Sequence, residues 1–237
     1  EVSATIACFL MLLFVSPSIA LSQPENWELR NYSISDGLSS NTVTCFEKDD
    51  YGFLWIGTSN GLNRFDGYNF TGLLLPSGEK HVLSTIKILS LLKDRDGILW
   101  VGTVDGLFRF DPAQAATSIQ QYRYISAEQA TGTRKQPVKL LLQDSKGRLW
   151  FNCLDLVDFT NFGLRYFDPQ AGTFTYVQID ATFSADPNRQ SVGYVADVVE
   201  DPDGTIWLGT SSGIVRFNKK EVAFSSPGSE KINEPAG

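Results

Sequence analysis

Few residues in this sequence have the types and spacing that enzymes use for acid–base or nucleophilic chemistry. The single histidine, His81, stands alone in the polar segment SGEKHVLST, which favours a surface loop over a catalytic position. One histidine and three cysteines in 237 residues argue against a multi-ligand zinc site and against a histidine-based triad. The residue types therefore predict no catalytic residues and no metal site.

Aspartates recur with a glycine three residues later, an arrangement typical of turns. Aligned D-x-x-G segments begin at Asp49, Asp94, Asp144 and Asp201. A general acid and its base need two different environments, whereas these carboxylates are copies of one environment. The segments DRDG and DPDG resemble calcium loops but lack the spaced oxygen ligands and closing glutamate of an EF-hand. We interpret them as hairpin turns and predict no cofactor.

A second group of residues is suited to ligand binding. The insertion at residues 154–162 places an aromatic ring beside carboxylates and an amide. Such a set suits a sugar, because the ring covers apolar C–H faces while the polar groups bond the hydroxyls. The other candidates lie in loops, where a rigid scaffold usually carries recognition residues; the full set is Asp155, Asp158, Phe159, Asn161, Asn60, Asp105, Arg134 and Arg189. The alternative interpretation is solvated loops of uneven length.

An internal repeat around four tryptophans must position these loops. An aspartate stands six residues before each tryptophan, a glycine three before, and a leucine or isoleucine one before. Gly-Thr begins two residues after the tryptophan, except that the third copy has Asn152-Cys153 and a longer segment before its next glycine. The tryptophans are 45, 50 and 57 residues apart. The residues that define the repeat are Trp55, Trp100, Trp150 and Trp207 with Gly52, Gly97, Gly147 and Gly204.

Each copy predicts a four-stranded antiparallel meander. Apolar first strands are expected at residues 43–48, 86–93, 138–143 and 194–200. In the D-x-x-G turn that follows, the aspartate accepts backbone N–H bonds and the glycine takes positive φ. The tryptophan strand ends at Asn60-Gly61, Asp105-Gly106 or Ser212-Gly213, and Asn-Gly and Asp-Gly predict type I′ hairpins. The complete units are expected at residues 41–75, 86–125, 137–180 and 194–226.

One such sheet cannot bury its faces alone, so the fold class is all-β and radial stacking of the copies predicts a β-propeller. The tryptophan and the glycine two residues later point to one face of their strand. We interpret the tryptophans as packing between blades, with ligand stacking as the alternative, and the glycine as making room for a neighbour. The recurring Arg64, Arg109 and Arg216 are expected to snorkel or to bond loop carbonyls.

Alternate connections of a meander lie at opposite ends of the sheet. The D-x-x-G turns lie at one end, which we call the turn end. The blade-to-blade connectors and the second hairpin turns lie at the other, which we call the connector end. All the predicted ligand-binding residues belong to the connector end, so any ligand is expected there.

Composition and the first residues favour an exported domain. Net charge is −7 and the pI is about 4.8, which argues against a nucleic-acid partner. Residues 6–15 form an uncharged apolar run too short to span a bilayer, followed by small residues. This pattern predicts a signal peptide at residues 1–22 and a periplasmic propeller segment at 23–237; a buried core segment and an uncleaved anchor are the alternatives. Cys45 and Cys153 are expected as buried free thiols, with a disulfide as the alternative.

The repeat D-x-x-G-x-[LI]-W-[hydrophobic]-G-T-x-x-G-[LI]-x-R-F resembles the two-component regulator propeller repeat. The stretch YSISDGLSSN, with LWIGTSNGLNRFDG after it, is similar to the first blade of the periplasmic sensor region of bacterial hybrid two-component receptors. The resemblance covers residues 27–218. It implies two successive seven-bladed propellers, an immunoglobulin-like domain, a membrane helix and a histidine kinase, with glycan breakdown products as signals in many members and a diguanylate cyclase output in some relatives.

The leading hypothesis is the start of a periplasmic sensor domain that binds an oligosaccharide or another small ligand, with no catalysis in this chain. Its expected partners are downstream blades and sensor domains of the same protein, in an inner-membrane-anchored receptor that forms a homodimer. The alternatives are an exported propeller enzyme (a lyase or a glycan-cleaving protein), the propeller sensor of a diguanylate cyclase, and an interaction scaffold.

Four copies are fewer than propellers of this kind usually contain, so an incomplete ring is expected. Residues 26–32 are predicted as a short closing strand for an absent last blade. The fourth copy is then expected to expose an apolar face with Trp207, Leu208, Val215 or Phe217, and residues 23–237 alone to be poorly soluble or oligomeric.

Overall fold

The computed structural model describes residues 28–73, 82–114, 118–122, 137–153, 163–177, 195–211 and 213–217. The chain divides at Asn31, and the unit that begins at Tyr32 holds every strand that is described. Within the described residues the regular structure is β-strand with short 3₁₀ turns and no α-helix. The expected closing strand is wrong for its described part, because residues 28–32 form no strand.

The strands form four antiparallel sheets that follow one another along the chain, which we call blades 1 to 4. Blade 1 contains β1 (Val43–Lys48), β2 (Leu54–Thr58), β3 (Gly61–Phe65) and β4 (Phe70–Gly72). Blade 2 contains β5 (Ile88–Lys93), β6 (Leu99–Thr103), β7 (Gly106–Phe110) and β8 (Gln120–Tyr122). Blade 3 contains β9 (Val138–Gln143), β10 (Leu149–Cys153), β11 (Gly163–Asp168) and β12 (Thr173–Tyr176), and blade 4 contains β13 (Val195–Glu200), β14 (Ile206–Thr210) and β15 (Gly213–Phe217).

This architecture confirms the all-β propeller prediction and most of its strand boundaries. Strands β1 and β9 have the bounds that the sequence predicted, while β5 begins two residues later than expected, at Ile88. The expected fourth strand of blade 4 lies outside the described residues, and blade 4 is described as three strands in the order β13-β14-β15. The first strands lie side by side, β1 against β5, β5 against β9 and β9 against β13, so they form the innermost layer.

The tryptophans pack between blades, as predicted. Trp55 is 1% exposed and lies in one apolar cluster with Ile88, Leu99 and other residues of blade 2. Trp100 and Trp150 make the corresponding contacts with blades 3 and 4. Each blade therefore buries its tryptophan against the blade that follows it in the chain, and burial of this kind is the main source of stability in such a stack.

The glycine two residues after the tryptophan makes room for the next blade, as predicted. A Cβ atom on Gly57 would lie 2.7 Å from Cγ2 of Ile88, and one on Gly102 would collide with the carbonyl oxygen of Val138. Real Cβ atoms do not approach other atoms so closely. The backbone of the tryptophan strand therefore lies almost in contact with the first strand of the following blade.

Blade 3 reaches its neighbour by a different contact, which explains its departure from the repeat. Asn152 occupies the position of the glycine, is buried, and donates a hydrogen bond from Nδ2 to the carbonyl oxygen of Val195 in blade 4. The pairing irregularity in the first strand, which faces the Gly-Thr pair in the other blades, has moved to the step between Trp150 and Phe151. A hydrogen-bonding side chain thus replaces close backbone packing at this interface.

The apolar face expected on blade 4 is different from the one in the structure. Leu208 is fully buried and Val215 is 7% exposed, because both point toward blade 3. In the strand register Ile206 pairs with Phe217. The opposite face carries Trp207, which is half-buried, and Ile214, which is 79% exposed. Of the predicted residues Trp207, Leu208 and Val215, only the tryptophan was assigned to the correct face, since alternate residues of a strand point to opposite sides.

Candidate functional site

The eight predicted ligand-binding residues divide into two that the structure describes and six that it does not. Asn60 and Asp105 occupy the second hairpin turns of blades 1 and 2, between β2 and β3 and between β6 and β7. The other six lie outside the described residues: Asp155, Asp158, Phe159, Asn161, Arg134 and Arg189. The predicted ligand-binding residues that the structure describes therefore belong to the first two blades.

Asn60 belongs to a network of hydroxyl and amide groups. Its Nδ2 atom lies 3.4 Å from the carbonyl oxygen of Ser39, in the segment that leads into β1. The Ser39 hydroxyl lies 2.9 Å from Oγ1 of Thr58 and accepts a bond of 2.7 Å from Nδ2 of Asn63. A further pair joins the hydroxyls of Ser40 and Ser59 at 2.9 Å. Uncharged donors and acceptors therefore cover the connector end of blade 1.

Asp105 is held by backbone contacts. Its N–H donates to Oγ1 of Thr103 over 3.0 Å, and its carbonyl oxygen accepts a bond of 3.0 Å from Nε2 of Gln121. The Thr103 hydroxyl in turn donates to the carbonyl oxygen of Gly106 over 2.9 Å. Blade 1 repeats this arrangement at Thr58, so the threonine of the Gly-Thr pair fixes the hairpin that presents Asn60 or Asp105. The sequence analysis did not assign that role to the threonine.

The hairpins that carry these two residues are not type I′ turns. A type I′ turn needs positive φ at both central residues, and no described residue other than glycine has positive φ. Gly61 and Gly106 have φ of 114° and 109°, and each directly follows the two loop residues. A glycine with positive φ in this place is the pattern of a bulged hairpin, in which the preceding asparagine or aspartate keeps negative φ.

At the turn end, the D-x-x-G aspartates bind the tryptophans. Oδ1 of Asp49 accepts the backbone N–H groups of Tyr51 and Phe53 at 2.9 Å each, as predicted for the turn. Oδ2 accepts Nε1 of Trp55 over 2.8 Å, a bond that the sequence analysis missed. The same aspartate–tryptophan bond occurs in every blade, at 2.7, 2.8 and 2.6 Å in blades 2 to 4. The glycines of all four turns take positive φ, as predicted. The six-residue spacing of aspartate and tryptophan is the sequence signal for this bond.

The pKa of Asp144 reflects the hydrogen bonds that this aspartate accepts. Burial would raise the pKa of this carboxyl group. Hydrogen bonds from Trp150 and from the backbone and guanidinium of Arg148, together with the Arg148 charge, outweigh burial and lower the pKa below 3.8. This carboxylate is ionised and occupied by structural partners, so it is unsuited to proton transfer.

The recurring arginines, which were expected to snorkel or to bond loop carbonyls, lie over aromatic rings. The guanidinium carbon of Arg64 lies 4.5 Å from the ring centre of Phe53. Those of Arg109 and Arg216 lie 5.7 Å and 5.6 Å from the ring centres of Trp100 and Trp207. Blade 3 has Tyr166 at this register position, and Arg148 stacks on Trp150 and Tyr166 in its place. The arginines therefore help to cover the tryptophans.

Polar contacts also join neighbouring blades at the turn end. Asp50 of blade 1 accepts a hydrogen bond from Nζ of Lys93 in blade 2, and this bond raises the pKa of Lys93. The Arg95 guanidinium of blade 2 donates to the carbonyl oxygens of Ser145 and Asp144 in blade 3, at 3.1 and 3.0 Å. Ser145 in turn donates from its hydroxyl to Glu200 of blade 4 over 2.7 Å. Each blade is therefore tied to the next one at this end.

The two described cysteines are free thiols, in agreement with the preferred interpretation, and both are half-buried. Burial raises the pKa of Cys45, so its thiol is protonated near neutral pH. Within the described part of the chain no group of three or more histidine, cysteine, aspartate or glutamate residues could hold a metal ion. No helix among the described residues is long and apolar enough to cross a lipid bilayer.

Comparison with known proteins gives matches of two kinds. The sequence model of the family described as "Two component regulator propeller" matches residues 37–60, 83–105 and 190–212, on the copies around Trp55, Trp100 and Trp207. The protein "Histidine kinase P4" of Formosa agariphila is 41% identical over 66 residues, which are 27% of this chain and 5% of that kinase.

Solved structures show the same fold at lower identity. The extracellular domain of BT4673 from B. thetaiotaomicron, a candidate hybrid two component system, superposes with a TM-score of 0.58 at 24% identity. That match covers 80% of this chain and 23% of the solved one. A catalytically inactive variant of virginiamycin B lyase from Staphylococcus aureus gives a TM-score of 0.50 at 14% identity, over 77% of this chain and 55% of the lyase. The chain thus spans less than a quarter of the receptor domain and a small part of the kinase.

Proposed function

From the premise that this chain carries two-component regulator propeller repeats, we propose that it is part of the ligand-sensing domain of a two-component signal-transduction receptor. The domain binds a small ligand, carries out no catalysis itself, and passes the bound state to an output domain elsewhere in the receptor. The output domain is a histidine kinase, and the receptor is a homodimer anchored in the inner membrane. The propeller lies in the periplasm, after a signal peptide at residues 1–22.

The observation that carries this proposal is the agreement of three separate repeats with one signalling family. The matched segments fall on corresponding parts of blades 1, 2 and 4, each ending at the second hairpin turn. The 66-residue similarity to a histidine kinase supports a kinase over a diguanylate cyclase as the output. The superposition on the receptor domain supports the propeller fold alone at this level of identity.

The connector end is the proposed ligand surface, and a carbohydrate is the proposed ligand. The described part of this end presents hydroxyl and amide groups around Asn60 and Ser39, which bond sugar hydroxyls without a charge requirement. The insertion in the third copy, with Phe159 between Asp158 and Asn161, adds an aromatic surface to the proposal from sequence alone. The turn end, by contrast, uses its recurring aspartates to hold the tryptophans.

The experiment that tests this proposal uses the receptor in the organism that encodes it. Asn60→Ala and Asp105→Ala are introduced together into the chromosomal gene, and the transcriptional response to a panel of purified polysaccharides is measured. We expect the concentration for half-maximal response to the active polysaccharide to rise about tenfold or more, since each lost polar contact to a ligand costs roughly 1 kcal/mol. Tyr68→Ala is the matched control, because Tyr68 is 87% exposed in the β3–β4 turn at the other end of blade 1.

Two results would overturn the proposal. An unchanged response in the double variant, with melting temperature equal to that of Tyr68→Ala, removes the connector end as the ligand surface. Degradation of a polysaccharide by the purified chain supports the propeller enzyme in place of the sensor.

A further inference from the structure

A cleft of about 170 Å³ lies between blades 2 and 3 at the turn end. It is bounded by the D-x-x-G turn of blade 2, by β7 and β8, and by the turn that joins β11 to β12 in blade 3. The lining residues that matter for binding are Asp96, Arg109, Tyr122, Gln143 and Gln170. This cleft is at the end of the sheets opposite to the proposed ligand surface, and none of the eight predicted ligand-binding residues lines it.

One residue of this cleft, Tyr122, departs from the pattern of the repeat. Tyr122 pairs with Leu107 in the register of blade 2, and the same register position in blades 1 and 3 is held by Leu73 and Val177. Those two aliphatic side chains are 5% and 1% exposed, whereas Tyr122 is half-buried and reaches the cleft. Blade 2 thus carries an aromatic residue with a hydroxyl where the fold needs only an aliphatic one.

The third residue of the D-x-x-G turn also differs between copies. It is Tyr51 in blade 1, Asp96 in blade 2, Lys146 in blade 3 and again an aspartate, Asp203, in blade 4. The Asp96 backbone N–H bonds Asp94 over 3.0 Å, and its exposed carboxylate has no hydrogen bond among the described contacts. In blade 4 the aspartate at this place, Asp203, accepts the backbone N–H of Thr205 over 2.9 Å, whereas the Asp96 carboxylate makes no such described bond and is open to a ligand as an acceptor.

An aromatic wall is fixed on the blade 2 side of the cleft. The ring of Tyr122 lies 5.7 Å from the ring of Trp100 and 4.9 Å from the ring of Phe167. Its hydroxyl donates to Oε1 of Gln120 over 2.8 Å. The ring is therefore held by packing on one side and by a hydrogen bond at its tip, and such rigid rings bind at small entropic cost.

Hydrogen-bond donors and acceptors surround this aromatic wall. Arg109 stacks on Trp100, and its described hydrogen bond is a 3.5 Å contact to Gln120, which leaves most of its five N–H groups for other acceptors. Gln143 accepts the backbone N–H of Arg95 through Oε1 over 3.1 Å, so its amide N–H groups remain as donors. Gln170 is exposed on the blade 3 side. The cleft thus offers a cation, a carboxylate and two amides around one aromatic wall.

We infer that this cleft is a second binding site, which takes a single sugar ring. The aromatic wall matches the C–H face of a pyranose, and alternating donors and acceptors match its hydroxyls. The volume is below that of sites for drug-sized ligands, which fits one ring and excludes a longer chain lying wholly inside. This site is independent of the connector-end surface, so either can exist without the other.

The test is ligand-observed saturation-transfer NMR on the purified chain. The probe is an equimolar mixture of D-glucose, D-galactose, D-mannose, L-fucose, D-xylose and D-glucuronate, each with resolved signals, at millimolar concentration. We expect saturation transfer to at least one sugar, reduced at least fivefold in the double variant Asp96→Asn, Gln170→Ala. These two residues are exposed, so the variant keeps the fold of the parent chain.

The control is again Tyr68→Ala, which leaves the cleft untouched and is expected to retain the full signal. Tyr122→Phe separates the ring from its hydroxyl and is expected to keep part of the signal, because the apolar wall remains. Absence of transfer to all six sugars overturns the inference, as does a signal that the double variant retains in full. A parallel titration with glycine and glutamate decides the ligand class, since tighter binding of an amino acid overturns the assignment to a sugar.

Discussion

Gly57 and Gly209 occupy the same position of the repeat, yet their surroundings differ completely. A Cβ on Gly57 would collide with Cys45 and Ile88, while one on Gly209 would meet its nearest described neighbour, Asp197, at 3.9 Å. Gly102, between blades 2 and 3, is as crowded as Gly57. The glycine is therefore needed only where another blade lies against it. Blade 4 has the same glycine on its outer face, although no described residue packs against that face.

The largest expected effect comes from filling the crowded position. Gly102→Ala places a Cβ against backbone and side-chain atoms of blades 2 and 3, and we expect it to lower the free energy of unfolding by about 3 kcal/mol. Gly209→Ala is expected to change the same quantity by less than about 0.5 kcal/mol. Urea unfolding of both variants and the parent chain, followed by tryptophan fluorescence, measures the difference. Equal destabilisation by the two substitutions would show that blade 4 is covered as blade 2 is.

A smaller effect is expected from removing the aspartate that binds the tryptophan. Asp49→Ala removes the acceptor of the buried Nε1 of Trp55 and of two partly buried backbone N–H groups, which costs roughly 2–3 kcal/mol. Asp201→Ala breaks the matching bond to the half-exposed Trp207, where water replaces the carboxylate, and we expect a loss of about 1 kcal/mol or less. Thermal unfolding by calorimetry compares the two. An equal loss of stability in both variants would mean that the aspartate–tryptophan bond contributes the same free energy whether or not it is buried.

The Asp144 carboxylate is expected to make the free energy of unfolding depend on pH. The folded-state pKa of Asp144 is lowered, so its contribution to stability is present above the unfolded-state value near 3.8 and is lost as pH falls through the folded-state pKa. We expect the free energy of unfolding of the parent chain to fall more steeply below pH 3.8 than that of Asp144→Asn. Urea unfolding at several pH values between about 5 and 2 measures both slopes. Parallel slopes would contradict the assignment of the shift to this carboxylate.

The smallest effect is expected at the exposed contact between blades 1 and 2. Lys93→Met removes the pair with Asp50, both of whose side chains are partly in solvent. Exposed pairs of this kind contribute little and are screened by salt, so the melting temperature is expected to stay within experimental error of the parent. A clear drop at low salt that disappears at high salt would show that this pair does hold the two blades together.

The features that recur in every copy could be predicted from the sequence. The side of a strand to which an apolar residue points could not. The D-x-x-G spacing fixed the turns, and the position of the tryptophan correctly indicated which face meets the next blade. Leu208 and Val215 were placed on the wrong face of blade 4, because apolar character alone does not distinguish two sides of a strand that are both buried in a stack. The Asn-Gly pair predicted the wrong hairpin type, since the same dipeptide fits both a type I′ turn and a bulged turn.

The candidate sites were harder to predict than the fold. Asn60 and Asp105 could be placed at the connector end because meander parity is a property of topology. The cleft could not be found in this way, because Tyr122, Asp96 and Gln170 come from different strands and turns of two blades. The sequence offered one indirect signal, which is that Tyr122 stands where blades 1 and 3 have an aliphatic residue.

The direction in which the tryptophans face has a consequence during synthesis on the ribosome. Trp55, Trp100 and Trp150 are each buried by a blade that emerges later, so a newly made blade keeps its apolar face in water until the next one has left the exit tunnel. Stability therefore accumulates in the order of translation, because each blade is fully packed only after the following blade has been made. We expect a nascent chain arrested with β12 outside the exit tunnel and β13 still inside it to protect Trp55 and Trp100 from quenching while Trp150 stays accessible.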